Sequence, residues 1–170
     1  LIHPYAHPHV IAGQGTAALE LLNAHGPLDA LVAPVGGGGL LSGTAISAAA
    51  TTMDCRIFGA GPEGPDDTAD SLAAGERRVD FVPDTVCDGL RGALGEPNFT
   101  LLRMHAVEVL TVPDAETLSA MRLLWQCLKL VVEPSSAIAL AAILRHRERL
   151  AGQRVGVLLS RGNVDLNALL

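Results

Sequence analysis

Between Asp29 and Met53 the chain reads as an apolar run, Asp29-Ala30-Leu31-Val32-Ala33-Pro34-Val35, then four glycines, Gly36 to Gly39, then an Ala-rich helical pattern from Leu40 onward. An uninterrupted apolar run bounded by turn signals is the mark of a strand buried on both faces. Glycine allows positive φ and close backbone approach but costs chain entropy, so a tight turn alone would use one or two. Four in a row at the start of a helix let several N–H groups converge where the helix dipole is positive. An anion, and a phosphate in particular, is the natural occupant. The alternative is a turn with no ligand.

The alternation continues through the chain. A helix is expected over Gly15 to Ala24, a strand over Cys55 to Ala60, a loop from Gly61 to Pro65, and a helix over Thr68 to Ala74 ended by Gly75. Glu96 to His105 is helical and Val107 to Val112 a strand. Pro113-Asp114-Ala115-Glu116 opens a helix through Lys129, with acids in the first turn. Glu133-Pro134-Ser135-Ser136 opens the last long helix, to about Leu150, and Val155 to Leu159 is a final strand that ends in Ser160-Arg161-Gly162-Asn163. Strands separated by helices predict an α/β fold, a three-layer αβα arrangement around a mostly parallel sheet. The low aromatic content, 3%, and an apolar mass of mainly Ala, Leu and Val agree with helices packed on a buried sheet. Glu76 to Gly95, rich in charge, Pro and Gly, is expected to be an irregular loop that crosses a site.

In open α/β sheets ligands collect at the carboxyl ends of the strands, which makes Gly36 to Gly39 and Ser160 to Asn163 the candidate loops. The dinucleotide fingerprint G-x-G-x-x-G fails, because the frame from Gly36 meets Leu41 and the frame from Gly38 meets Leu40. A P-loop fails because no Gly-Lys-Ser/Thr follows, and the only lysine in the chain is Lys129. No G-x-S-x-G elbow or Ser-His-Asp order is present. His3, His7 and His9 lack an acid or cysteine among them and are expected to be an exposed tail. Glu63, Asp66, Asp67 and Asp70 read either as a hard-cation patch or as acids at a helix start. Ser160 alone reads equally as a strand-end residue or a cap, and Glu133 as a cap before Pro134.

A net charge of −6 repels phosphate backbones, so no nucleic-acid partner is expected. The longest apolar run, Ala137 to Leu144, is far short of the roughly 18 to 20 residues of a membrane span, so no membrane partner is expected either. Cys55, Cys87 and Cys127 are odd in number and contain no C-x-x-C, which fits a reducing, cytoplasmic setting. The opening LIHPYAHPHV has neither a basic segment nor an apolar core of a signal peptide and starts at Leu1, so an upstream segment is expected.

The segments VIAGQGTAALELL (10–22), VGGGGLLSG (35–43), DDTADSL (66–72), DGLR (88–91), LKLVVEPSSA (128–137) and LSRGNVDL (159–166) together resemble the serine/threonine dehydratase and serine racemase group of fold-type II pyridoxal-phosphate enzymes. The resemblance implies that Gly36, Gly37, Gly38, Gly39 and Leu40 cradle the phosphate of pyridoxal 5'-phosphate, that Ser160 bonds its pyridine nitrogen, and that Gly89 and Glu133 lie close to its ring. A serine hydroxyl is too weak an acid to hold a proton on that nitrogen, which suits β-elimination of a small β-hydroxy amino acid to a 2-oxo acid and ammonia.

This sequence departs from the group's pattern in three places. The cation-site glutamate is replaced by Gly61, which leaves Asp67 as the matching metal ligand and a divalent-cation site short of one charge. The loop written Ser-Gly-Gly-Asn in the family reads Ser160-Arg161-Gly162-Asn163, where the large cation either pairs with an acid or crowds the site. The Schiff-base lysine and the substrate-carboxylate loop have no counterpart, so the chain is expected to be a single partial domain over 1–170, the carboxyl-terminal part of a catalytic domain, inactive alone. The missing amino-terminal half is then its first partner, and the resemblance implies a homodimer when complete. A non-catalytic anion- or cofactor-binding module and a fragment of a serine racemase are the alternative readings.

Overall fold

The computed structural model describes residues 2–52, 54–64 and 67–165, with Asp67 described by its backbone alone. Four strands, β1 (Ala30–Pro34), β2 (Arg56–Pro62), β3 (Glu108–Val112) and β4 (Val155–Val157), form one sheet in the order β3-β2-β1-β4. Every pair is parallel, as the alternation of strands and helices requires. β1 lies inside the sheet, and all five of its residues are buried. Its side chains alternate between two cores. Ala30 and Val32 join Phe58, Leu110 and Ile138 on one face, while Leu31 and Ala33 join Leu22, Leu41 and Leu102 on the other.

The first core is roofed by α5 (Asp114–Leu128) and α6 (Pro134–Arg145), the second by α1 (Pro8–His25), α2 (Gly39–Thr51) and α4 (Glu96–Met104). The short helices α3 (Asp67–Ala74) and α7 (Arg147–Leu150) complete the order. Two helical layers therefore enclose the sheet, making three layers in all, and no helix among the described residues is long and apolar enough to cross a membrane. The chain leaves β1 through α2 on one face to reach β2, and reaches β4 through α5 and α6 on the other. The strand order thus reverses between β1 and β4, and their carboxyl-end loops diverge into a crevice.

Several boundaries differ from the sequence expectation. α1 begins at Pro8, not Gly15, because the His7 ring serves as its N-cap: Nδ1 accepts the His9 N–H at 3.2 Å, with Pro8 in the first turn. The expected histidine tail is therefore an ordered turn, in which His3 Nδ1 also accepts the Ala6 N–H at 3.1 Å. Imidazole is outside the usual Ser/Thr/Asp/Asn capping set, so the residue pattern carries no sign of this start. The last long helix stops at Arg145, where the His146 ring makes a 3.1 Å hydrogen bond with the Thr111 carbonyl. β2 runs on to Pro62 because Gly61 and Pro62 still pair with Thr111 and Val112. β4 ends two residues early, at Val157.

α1 and α2 meet backbone to backbone. A Cβ at Gly15 would stand 2.7 Å from the Gly43 carbonyl oxygen, and one at Gly43 would stand 2.5 Å from the Gly15 nitrogen. The Ser47 hydroxyl seals the contact by donating to the Gly15 carbonyl at 2.8 Å. Gly43→Ala should therefore force the helices apart and cost about 1–3 kcal/mol, as overpacking does. The check is a lower urea midpoint at unchanged m value.

Candidate anion and cofactor site

The glycine loop leaves β1 at the crevice and enters α2 with Gly38 at φ +90°, a conformation L side chains rarely adopt. Its carbonyls are held from outside. The Gly37 carbonyl accepts the Gly95 N–H at 3.1 Å and the Asn98 amide Nδ2 at 2.5 Å. The Gly36 carbonyl accepts the Thr68 hydroxyl at 3.4 Å, and the Gly38 carbonyl accepts the Ser42 N–H at 2.9 Å. In a trans peptide the following N–H points opposite to the carbonyl. Fastening the carbonyls to α4, α3 and the body of α2 thus turns the N–H groups of Gly37, Gly38 and Gly39 toward the cavity.

The N–H groups of Gly36, Gly37, Gly38, Gly39 and Leu40 donate to no acceptor among the described residues. Gly36, Gly38 and Gly39 are nevertheless buried. Buried backbone donors are almost always paired, so five consecutive orphans at a helix N-terminus, three of them on buried residues, make this loop a candidate anion site.

These residues line a cavity of about 350 Å³ together with Tyr5, Gln14, Gly89, Leu90, Ser160 and Arg161, a size in the range of small-ligand sites. Gly36 to Gly39, Leu40, Gly89 and Ser160 are thus brought to one place from three separate stretches of chain. Ser160 arrives because β4 pairs with β1 in parallel, which puts both carboxyl ends on the same rim. Gly89 arrives in a 3-10 turn, Asp88–Leu90, whose approach is so close that a Cβ at Gly36 would stand 2.8 Å from the Leu90 Cα. Asp114, at the start of α5, fastens the incoming loop by accepting the Thr85 hydroxyl at 2.6 Å and the Val86 N–H at 2.9 Å.

Glu133 is buried beside this cavity without lining it. Its Oε2 accepts the Asn163 N–H at 2.9 Å and its Oε1 lies 3.8 Å from Arg161 Nη1, so it braces the Ser160 to Asn163 loop. The side chain of Asp67 lies outside the described residues, as does Asp66. Among the described residues no three His, Cys, Asp or Glu side chains converge as a metal set, and Glu63 pairs with Arg145 at 3.4 Å.

Three contributors had escaped the sequence reading. Asn98 is fully buried and also donates to the Tyr5 carbonyl at 3.0 Å. Tyr5 lies against Gly37, Gly39 and Gly92. Ser135, with its side chain fully buried, accepts the Gly89 N–H at 3.0 Å. Asn98 carries no local signal at all, whereas the Pro134-Ser135-Ser136 helix start is visible in sequence but reads as a cap. Burial pushes the nearby Cys87 thiol up to about 12, against a lowering hydrogen bond from Thr85, which disfavours the thiolate.

The sequence pattern of the pyridoxal-phosphate dependent enzyme family matches residues 1–161. The chain belongs to that family. Within it, β-hydroxyaspartate dehydratase of Paracoccus denitrificans (strain Pd 1222) is 46% identical over 99% of this chain and 53% of its own length. L-threo-3-hydroxyaspartate ammonia-lyase of Saccharomyces cerevisiae is 46% identical over 98% of the chain and 51% of its own length. Serine racemase of Dictyostelium discoideum is 43% identical over 99% and 53%. Among solved structures, maize serine racemase superposes with a TM-score of 0.93 at 40% identity, covering 98% of this chain and 53% of that one. A threonine deaminase from T.th. gives 0.92 at 46% identity, covering 96% and 62%. This pyridoxal-phosphate dependent enzyme chain spans about half the length of the curated relatives it matches. The orphaned amides suit a phosphate, and the donor set therefore fits the family's cofactor.

Proposed function

We propose that these residues form the cofactor-phosphate half of an ammonia-lyase that converts a small β-hydroxy amino acid to a 2-oxo acid and ammonia. The observation that carries this reading is the set of five acceptorless N–H groups, Gly36 to Leu40, sharing one cavity with the Ser160 hydroxyl. The amides and the α2 dipole would hold the phosphate dianion and Ser160 would bond the ring nitrogen, with Gly89 and the guanidinium lying over it at the edge of the ring's place. Two fixed ends would orient the ring, and Glu133 keeps the Ser160 loop in place through Asn163. Pyridoxal phosphate, when bound, supplies an electron sink beside the substrate Cα. A neutral hydroxyl at the nitrogen, where a carboxylate would retain a proton, would keep that sink moderate and so favour departure of the β-hydroxyl. Water lost in the elimination is regained when the enamine product hydrolyses to the 2-oxo acid.

A racemase reading is favoured by the similarity to the Dictyostelium and maize proteins, and differs in returning the proton to the other face of Cα. The deciding experiment joins this chain to the part of the Paracoccus relative that it does not cover and supplies L-serine, L-threonine and L-threo-3-hydroxyaspartate. Equal amounts of ammonia and 2-oxo acid are expected. D-serine formed without 2-oxo acid would establish the racemase instead, and cofactor binding with no turnover a binding module.

A further inference from the structure

Arg161 is the single charged side chain among the described residues that line the cavity. Its guanidinium is half exposed and makes no hydrogen bond to a described residue; its nearest acid, Glu133 Oε1, is 3.8 Å away and the other oxygen of that carboxyl is taken by the Asn163 N–H. The guanidinium lies directly over Gly89, in space that any side chain at that position would fill. A planar fork of five donors, placed over the site and this loosely engaged, matches a carboxylate in two parallel hydrogen bonds.

The cavity therefore has two separate anion-attracting elements. The amides of Gly36 to Leu40 suffice for a phosphate, and Ser160 is neutral, which leaves the guanidinium with the 3.8 Å contact to Glu133 and no hydrogen bond to a described residue. A substrate with a neutral β-substituent, such as serine or threonine, offers nothing for that charge, whereas a β-carboxylate does. We infer that Arg161 is a specificity-determining residue that anchors the second carboxylate of a β-hydroxy dicarboxylic amino acid, an assignment that rests on the elimination reading above.

The test uses the complete holoenzyme and its Arg161→Gly and Arg161→Lys variants. Arg161→Gly empties the space over Gly89 and removes the 3.8 Å pair with Glu133, whereas Arg161→Lys keeps a positive charge for that carboxylate. Two quantities are read: the dissociation constant of succinate by calorimetry, which needs no turnover, and KM and kcat for L-threo-3-hydroxyaspartate and L-threonine. Arg161→Gly should weaken succinate and raise KM for the dicarboxylic substrate by about 10-fold or more, the scale of one charged hydrogen-bonded pair. KM for threonine should stay within about 2-fold of wild type, the spread expected without a lost contact, and Arg161→Lys should restore part of the loss. If both substrates turn over and the variant leaves the succinate constant and the KM ratio unchanged, the arginine's role is overturned while the elimination reading stands. If cofactor binds and neither substrate is consumed, both fall.

Discussion

The 170 residues purified alone are expected to release no measurable 2-oxo acid or ammonia from L-threonine, L-serine or L-threo-3-hydroxyaspartate, even with saturating pyridoxal phosphate. Their one lysine, Lys129, caps the end of α5 with φ 58° and spends its ammonium on the Gln126 carbonyl at 2.6 Å. It does not line the cavity. Neither a covalent anchor for the cofactor nor a base for the Cα proton is therefore at hand. Missing acid–base chemistry alone lowers a rate by about 10²–10⁴-fold, and the loss of the covalent anchor adds to it. A coupled 2-oxo acid assay checks this. Turnover within about 10-fold of a complete relative, a margin set by one missing contact of about 1.4 kcal/mol, would refute the half-site proposal.

The second large effect is expected at Gly38. An alanine there must hold φ near +90° while its Cβ stands 2.8 Å from the Asn98 Cβ and from a Leu94 methyl. Strain of that kind costs about 1–3 kcal/mol. The loop relieves it by rotating the peptide between Gly37 and Gly38, which takes the Gly37 carbonyl off Asn98 and Gly95 and swings the Gly38 N–H out of the cavity. Each charge-assisted hydrogen bond lost to the phosphate is worth about 1.5–3 kcal/mol, or roughly 10–100-fold in affinity. Gly38→Ala should thus weaken pyridoxal 5'-phosphate by at least about 10-fold, while pyridoxal, which has no phosphate, keeps its weak affinity. Fluorescence titration with the two forms separates the outcomes. An equal loss for both would mean that the loop shapes the cavity without binding the anion.

The elements legible in advance were those whose signal is local. β1 was placed within one residue of its ends because five buried residues in a row leave a strand little freedom, and the Gly36 to Gly39 turn followed from composition. Where boundaries moved, either an unusual local cap or a long-range partner had intervened: the His7 ring, two residues from the N–H it accepts, at the start of α1, then the Thr111 carbonyl at His146 and β3 drawing β2 out to Pro62. Arg161 had two possible fates from sequence. The structure combines them, since the side chain leans toward Glu133 and also covers Gly89.

Asn98 marks the limit of reading a chain one segment at a time. An asparagine inside a helical pattern has no distinctive surroundings in sequence, yet its amide reaches Gly37 and Tyr5, 61 and 93 positions away. The amino-acid order alone determined the alternation of strands and helices, the parallel sheet and the glycine turn, because hydrophobic period and backbone freedom act over a few neighbouring residues. Tertiary structure alone decided which carbonyls of that turn are held from behind, and so which N–H groups face the cavity. The direction of a peptide plane depends on what grips its oxygen, and here the grips come from α3 and α4, elements distant in the chain and adjacent only once the sheet has assembled.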